Sequence, residues 1–135
     1  MTGYQRLEAV RDKLKTGVPA LLGANKLPDF AAYEIGEPFA TDESRVGVFT
    51  LEWSMEPERE TWACCVLFQC YEVDEVYHYE SVLLPELPRL LPPEALGMTL
   101  FQNIESIVSP PGQSSSTFIF ISLSYSRELD DSENF

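Results

Sequence analysis

The first element that the hydrophobic pattern predicts is an amphipathic helix near the start of the chain. One face of this helix would carry three apolar residues at intervals of three and four, Leu7, Val10 and Leu14. A Thr-x-x-Gln sequence at residues 2–5 has the form of a capping box and indicates where the helix begins. Gly17 and Pro19 are typical of a helix end. We therefore expect a helix over about residues 3–16 and an irregular segment over about residues 17–29.

Five later segments have patterns typical of strands, namely residues 30–35, 45–53, 62–71, 99–108 and 119–126. In the second segment, alternation would place Phe49, Leu51 and Trp53 on one side of a half-buried strand. The third segment is apolar at nearly every position, which predicts a central strand covered on both faces. In the last segment, apolar residues alternate with serines, which gives the clearest period of two in the chain.

A second helix is predicted between the third and fourth of these strands. Apolar residues recur near helical spacing after Asp74 and Glu75, two acidic residues that suit a first turn. Pro85 and Pro88 would each break an internal hydrogen bond of a continuing helix. We therefore expect the helix over about residues 74–84, followed by a kinked or separate turn before Pro92 and Pro93.

The connectors between neighbouring strands are of hairpin length, which predicts the fold class α+β. We expect an antiparallel or mixed sheet of four to five strands, with the N-terminal helix and the second helix packed on it. The length of 135 residues fits one domain whose core needs no disulfide or metal ion. We assign residues 1–127 to this domain and residues 128–135 to an acidic, flexible tail.

The chain is acidic, with 22 acidic and 9 basic residues and a formal net charge of −13. This balance argues against a surface that binds DNA or RNA, because such a surface needs a basic face. The charge is also uneven: residues 1–27 hold five bases and two acids, whereas residues 28–105 hold three bases and 16 acids. A solvated helix face would explain this asymmetry. Head-to-tail self-association would explain it too, with the basic segment of one copy on the acidic face of the next.

Three cysteines, Cys64, Cys65 and Cys70, are the first candidates for chemistry. Adjacent residues of a strand point to opposite faces, so Cys64 and Cys65 cannot easily share one metal ion. No Cys-x-x-Cys pair is present, and the second ligand pair of a zinc site is missing. The Glu-x-x-His sequence that ends at His78, the only histidine, would have to occur twice to form a di-iron site. We expect buried thiols, although a nucleophilic pair with His78 stays formally possible.

The remaining motifs give no catalytic assignment. No nucleotide-binding loop and no serine nucleophile elbow occurs, and Glu56, Glu58 and Glu60 cluster without the pattern of a calcium loop. We expect no catalytic residue, no metal and no cofactor, with a small enzyme that uses paired carboxylates as an alternative. Tyr77 and Tyr79 fit either a core or an interface. No run of 18 apolar residues occurs, so we expect no membrane partner.

Four segments of the chain follow one another in a recognisable order: TGYQRLEAVRDKLKTG, SRVGVFTLEW, TWACCVLFQCYEV with the following DEVYHYESVLL, and TFIFISLSYSREL. This layout resembles the tail terminator proteins of tailed bacteriophages, also known as tail-completion or minor tail proteins. The resemblance covers about residues 3–127 and rests on the order of helices and strands. The sequence departs from the pattern at the prolines around the second helix, Pro85, Pro88, Pro92 and Pro93.

The resemblance implies a structural virion protein, assembled in the host cytoplasm, that forms a hexameric ring at the neck between tail and head. Its partners would be further copies of the chain and the tail-tube and neck proteins. DNA would pass through an acidic channel without specific binding, because acidic walls do not hold phosphates. Six residues are candidates for the subunit interface: Arg6, Arg11, Lys13, Lys15, Tyr77 and Tyr79. The alternative is a small acidic inhibitor or DNA mimic that binds a basic partner.

Overall fold

The computed structural model describes residues 1–23, 32–36, 45–70, 73–109 and 117–129. Three helices lie in these ranges: α1 (Gly3–Gly23), α2 (Val73–Leu83) and α3 (Leu87–Leu90). Five strands lie in the same ranges: β1 (Ala32–Ile35), β2 (Arg45–Met55), β3 (Arg59–Cys70), β4 (Leu100–Ser109) and β5 (Thr117–Glu128). A 3₁₀ turn at Pro93–Leu96 precedes β4. Within the described part of the chain, no helix is long and apolar enough to cross a membrane.

The strands form one mixed sheet in the order β1-β2-β3-β5-β4. β1 pairs in parallel with β2, and the other neighbours pair in antiparallel fashion. α2 lies between the third and fourth strands along the chain. The predicted α+β class, with a mixed sheet and two principal helices, is therefore confirmed. β3 lies at the centre of the sheet, and residues 64–69 are all buried, as expected for a strand covered on both faces.

α1 extends beyond its predicted end and runs through Gly17 and Pro19 as far as residue 23. Gly17 permits a close contact instead of ending the helix, because a Cβ atom there would overlap the side chain of Leu90 in α3. Val18 continues the apolar stripe and is completely buried, which stabilises the turn that contains Pro19. The prediction of an irregular segment is therefore wrong for residues 17–23, which belong to α1. The rest of that segment lies outside the described residues.

The second helix follows its prediction more closely. α2 ends at Leu83, Pro85 lies in the turn after it, and α3 is the separate turn that the prolines predicted. The predicted tail overlaps β5 by one residue, since Glu128 is the last residue of that strand. Residues 130–135 of the predicted tail lie outside the described residues.

A β-bulge in β2 overturns the predicted sidedness of that strand. Phe49 pairs with Cys65, but Trp53 pairs with Trp62, so β2 holds one extra residue between these two pairs. Residues an odd number apart in β3 point to opposite faces, and Phe49 and Trp53 therefore lie on opposite faces of the sheet. The prediction that Phe49, Leu51 and Trp53 share a buried side is wrong. Leu51 and Trp53 are 49% and 56% exposed.

The helices cover one face of the sheet and form the core with it. The apolar stripe predicted on α1 is buried there: Leu7, Val10 and Leu14. The alternating apolar residues of β5 are completely buried on the same face: Ile119, Ile121, Leu123 and Tyr125. On the opposite face, Cys65 and Leu67 are buried, and they lie level with Phe49 and Phe120 on the flanking strands.

Candidate functional site

Several segments meet at one end of the sheet, beside the turn that joins β2 to β3. A backbone hydrogen bond of 2.9 Å, donated by the N–H of Leu129 to the carbonyl of Glu58, brings the end of β5 to this turn. A second bond of 3.1 Å, donated by the N–H of Thr99 to the carbonyl of Ser126, places the start of β4 beside them. The first turns of α1 join through the side chain of Arg6. We name this region, residues 1–6, 51–61, 97–100 and 126–129, the hairpin end.

The hairpin end is built around the buried carboxylate of Glu60. Arg6 donates from Nη1 to Oε2 and from Nη2 to Oε1, both at 3.0 Å. Trp53 donates from Nε1 to Oε2 at 2.8 Å, and Arg127 donates from Nε to Oε1. Arg6 and Glu60 are only 1% and 3% exposed. These four donors satisfy a charge that would otherwise be costly to bury.

Arg6 ties this carboxylate to further elements of the fold. Its Nε donates to the carbonyl of Leu96 at 2.9 Å, which anchors the 3₁₀ turn to α1. Its guanidinium lies 5.9 Å from the ring centroid of Trp62, within the range of a cation–π contact. A single arginine therefore joins α1, β3 and the segment before β4. These contacts hold the hairpin end together as one unit.

The same contacts fix the charge of Glu60. Burial alone would raise the pKa of this carboxyl group, but the hydrogen bonds from Arg6, Trp53 and Arg127 outweigh burial and lower the pKa to about 2. Glu60 is therefore ionised at neutral pH. A carboxylate that stays ionised, with its acceptor positions occupied, acts as a structural anchor and is a poor general acid or base.

Large apolar side chains are exposed around this buried cluster. Among the described residues, eight large hydrophobic side chains are exposed. Six of the eight belong to the hairpin end: Met1, Tyr4, Leu51, Trp53, Met55 and Leu100. A single exposed apolar residue is ordinary on a protein surface. A concentration of such residues at one end is typical of a surface that contacts another molecule.

Acidic side chains border these apolar ones. Glu52, Glu56, Glu58 and Glu128 are all exposed at or next to the apolar residues. The sequence pattern grouped Glu60 with Glu56 and Glu58, but the structure places Glu60 inside, bound to two arginines. Among the residues that the structure describes, no three His, Cys, Asp or Glu side chains are placed to hold a metal ion. Arg59 is also exposed here, and the register places Trp53 and Met55 on the helix side of the sheet and Leu100 on the opposite side. The hairpin end thus presents exposed apolar side chains on both sides, among four carboxylates and one guanidinium.

The described part of the sheet carries a wide depression and a smaller groove on its surface. The depression, of about 910 Å³, lies at the hairpin end, where Glu58, Leu100 and Glu128 are among the residues that line it. The groove, of about 160 Å³, lies further along the sheet, between Glu52 of β2 and Gln102 of β4. Small-molecule sites usually measure at least about 300 Å³ and are mostly apolar. The wide, open depression with charged walls instead suits side chains of a docking protein.

The six residues predicted at a subunit interface fall into two groups. Arg6 and Tyr79 are each 1% exposed, so the structure places both in the interior and neither can contact another molecule from its present position. Arg6 lies beside the apolar stripe of α1 and turns inward to Glu60, and Tyr79 belongs to the hydrophobic core. The other four side chains reach the surface to differing degrees: Arg11, Lys13, Lys15 and Tyr77.

Two of the three cysteines, Cys64 and Cys65, are the buried thiols that the sequence predicted. Cys64 and Cys65 are free, buried and on opposite faces of β3. Burial raises the pKa of both thiols, that of Cys65 to about 11, so neither is a ready nucleophile at neutral pH. The side chains of Cys70 and His78 lie outside what the structure describes.

The sequence pattern missed the main feature of the hairpin end. It treated Trp53 and Leu51 as core residues and gave no role to Met55. A detectable signal was present, because the apolar positions of β2 change from even numbers at Val46 and Val48 to odd numbers at Trp53 and Met55. Such a change of parity predicts a bulge. No protein-family model and no curated protein matches this chain.

Proposed function

We propose that this chain is a structural subunit that assembles into a ring at the neck of a tailed bacteriophage, where the ring caps the tail tube and joins it to the head. The observation that carries the proposal is the hairpin end, where six exposed large hydrophobic side chains collect. A surface of this kind is stabilised when another protein covers it. The order of the elements, which resembles that of tail terminator proteins, supports the same proposal.

The charges at the hairpin end favour a ring over a two-fold dimer. A two-fold contact through the hairpin ends would bring the acidic borders of two copies together, including Glu56 and Glu58 of each. Like charges that face each other across an interface repel and disfavour that mode of association. A head-to-tail contact places the hairpin end against a different surface of the next copy. Repeated contacts of this type close into a ring when the rotation that relates neighbouring copies adds up to a full turn.

The overall charge supports the passage of DNA through such a ring. Each copy carries a formal net charge of −13, the same sign as the phosphates of DNA. Protein surfaces hold DNA mainly through basic side chains that displace counterions. An acidic ring would therefore let DNA slide without stable ion pairs. The purified protein should show no binding to duplex DNA even at low salt, where electrostatic attraction is strongest.

The oligomeric state of the purified protein tests the proposal. Light scattering coupled to gel filtration should give a mass several times that of one chain, and negative-stain electron microscopy should show rings. Leu51→Ser with Met55→Ser should weaken the assembly by about 1–2 kcal/mol per side chain at each interface. Ile107→Ser is the matched control, because Ile107 is 67% exposed on β4, away from the hairpin end. A wild-type protein that stays monomeric at high concentration, also in the presence of tail tubes, would refute the proposal.

The acidic border of the hairpin end also favours one other function, that of an inhibitor that binds a basic protein. Glu52, Glu56, Glu58 and Glu128 could meet a basic site while the apolar residues fill its centre. Such an inhibitor would be monomeric alone and would form a one-to-one complex with its target. The affinity of this complex would fall as the salt concentration rises. The mass measurement therefore separates the two functions.

A further inference from the structure

We propose that the hairpin end of one copy receives the basic segment of α1, residues 11–15, from the next copy. This inference rests on the proposed ring and names its contact surfaces. The basic segment carries Arg11, Lys13 and Lys15 against one acid, Asp12, and so has a net charge of +2. The hairpin end presents exposed apolar side chains together with four exposed glutamates and one exposed arginine, Arg59. The two surfaces are complementary in charge.

The receiving surface has the shape for this contact. The depression of about 910 Å³ runs between the β2–β3 turn and the start of β4. Glu58 and Glu128 contribute carboxylates to its wall, Arg59 contributes one guanidinium, which donates to the hydroxyl of Ser126, and Leu100 contributes an exposed apolar side chain. Lysine side chains fit such a surface, because their aliphatic stems pack on apolar groups while their ammonium groups reach carboxylates.

The donating surface is exposed on α1. Lys13 and Lys15 flank Leu14, which is completely buried, so the two lysines leave the helix on its two sides. Both are exposed, whereas Arg11 is 28% exposed and forms an ion pair of 3.0 Å with Asp12. We therefore assign the main part of the contact to the lysines. Arg11 supports the positive charge of the segment.

These two lysines cannot reach the hairpin end of their own subunit. α1 starts at the hairpin end, where Arg6 reaches Glu60, and then contacts β1 and α3 further along its course. At 1.5 Å per residue, Lys13 lies about 10 Å and Lys15 about 14 Å along the helix axis from Arg6. β1 pairs with Arg45–Val48, the end of β2 that is remote from the turn. α1 therefore carries the lysines away from its own hairpin end and presents them to a neighbour.

A charge exchange between two variants tests this contact. The first variant carries Lys13→Glu and Lys15→Glu, and the second carries Glu56→Lys and Glu58→Lys. All four residues are exposed, so both variants should fold, and circular dichroism with thermal melting verifies this. Each variant alone brings like charges together and should lose self-association by at least about tenfold. Mixed in equal amounts, the two variants should regain the wild-type mass, because each α1 then meets a hairpin end of opposite charge.

A matched variant controls for net charge. Glu86→Lys with Glu105→Lys changes the net charge as much as Glu56→Lys with Glu58→Lys, but at sites away from the hairpin end. Its assembly should remain within about twofold of wild type. Normal assembly of the Lys13→Glu, Lys15→Glu variant, or failure of the mixture to recover, would overturn this contact while leaving the ring intact. A monomeric wild-type protein would instead overturn the proposed function and this inference with it.

Discussion

Substitution of Glu60 by glutamine is the sharpest test of the buried ion cluster. The change keeps the size of the side chain but removes the charge that Arg6 and Arg127 neutralise. The pKa of Glu60 is lowered from 4.5 to about 2, and one pKa unit corresponds to about 1.4 kcal/mol. The ionised carboxylate therefore stabilises the folded state by about 3 kcal/mol. Loss of one partner of a buried ion pair costs about 3–5 kcal/mol, which agrees with this magnitude.

The dependence on pH separates charge from packing. A lowered pKa means that the unfolded chain binds the proton more tightly, so the stabilisation is complete above pH 4.5 and is lost as the pH falls toward about 2. The difference between wild type and Glu60→Gln should be about 3 kcal/mol near pH 7 and should shrink toward zero as the pH approaches about 2. Protonated Glu60 and glutamine are both uncharged, which explains why the two proteins become alike.

Urea unfolding followed by tryptophan fluorescence measures this difference directly. Trp53 donates to Glu60 and Trp62 lies beside Arg6, so both tryptophans report on the cluster. Glu105→Gln, at an exposed position of β4, is the control and should change the unfolding free energy by less than about 0.5 kcal/mol. A difference for Glu60→Gln that stays below about 1 kcal/mol near pH 7, or one that does not change between pH 7 and pH 3, would refute the electrostatic account.

Three further changes test other contacts by the same unfolding measurement. Arg6→Met combined with Glu60→Leu should be less destabilising than the sum of the two single changes by about 2 kcal/mol, since the pair removes both charges; additive effects would contradict this coupling. Gly97→Ala should cost about 1–2 kcal/mol, because Gly97 has a φ of 67°, and Gly97→Asn should cost less; equal costs would contradict the backbone explanation. Tyr125→Phe should cost about 1–2 kcal/mol, because the hydroxyl of Tyr125 donates to the buried carbonyl of Leu91 at 2.8 Å; no loss would show that this bond is replaced.

Local patterns in the sequence were enough to predict the main elements of the fold. The stripe on α1 and the alternation in β5 report which side of each element is buried, and both depend only on neighbouring residues. The apolar run in β3 predicted its central place in the sheet. The end of α1 could not be predicted in this way, because Gly17 packs against Leu90, a residue distant in sequence. Tertiary packing, and not the local sequence, explains why glycine occurs inside the helix.

The candidate site was harder to predict for the same reason. Arg6 has the sequence context of a surface base on an amphipathic helix, yet its partner Glu60 lies 54 residues later. Nothing in the first turn of the helix indicates that this base is buried. Glu60 in turn looked like one member of a solvated acidic connector. Lys13 and Lys15 could be assigned to the surface because they flank a buried stripe residue.

The buried ion cluster and the exposed apolar surface explain each other. Trp53 is exposed, but its indole N–H is held by Glu60, so the side chain is fixed before any partner arrives. A surface that is already ordered loses less conformational entropy on binding, which favours association. Glu60→Gln should therefore weaken both folding and the proposed ring assembly, whereas Leu51→Ser with Met55→Ser should weaken the proposed assembly alone. If Glu60→Gln lowered the unfolding free energy but left the assembly unchanged, the cluster would serve the fold and not the contact surface.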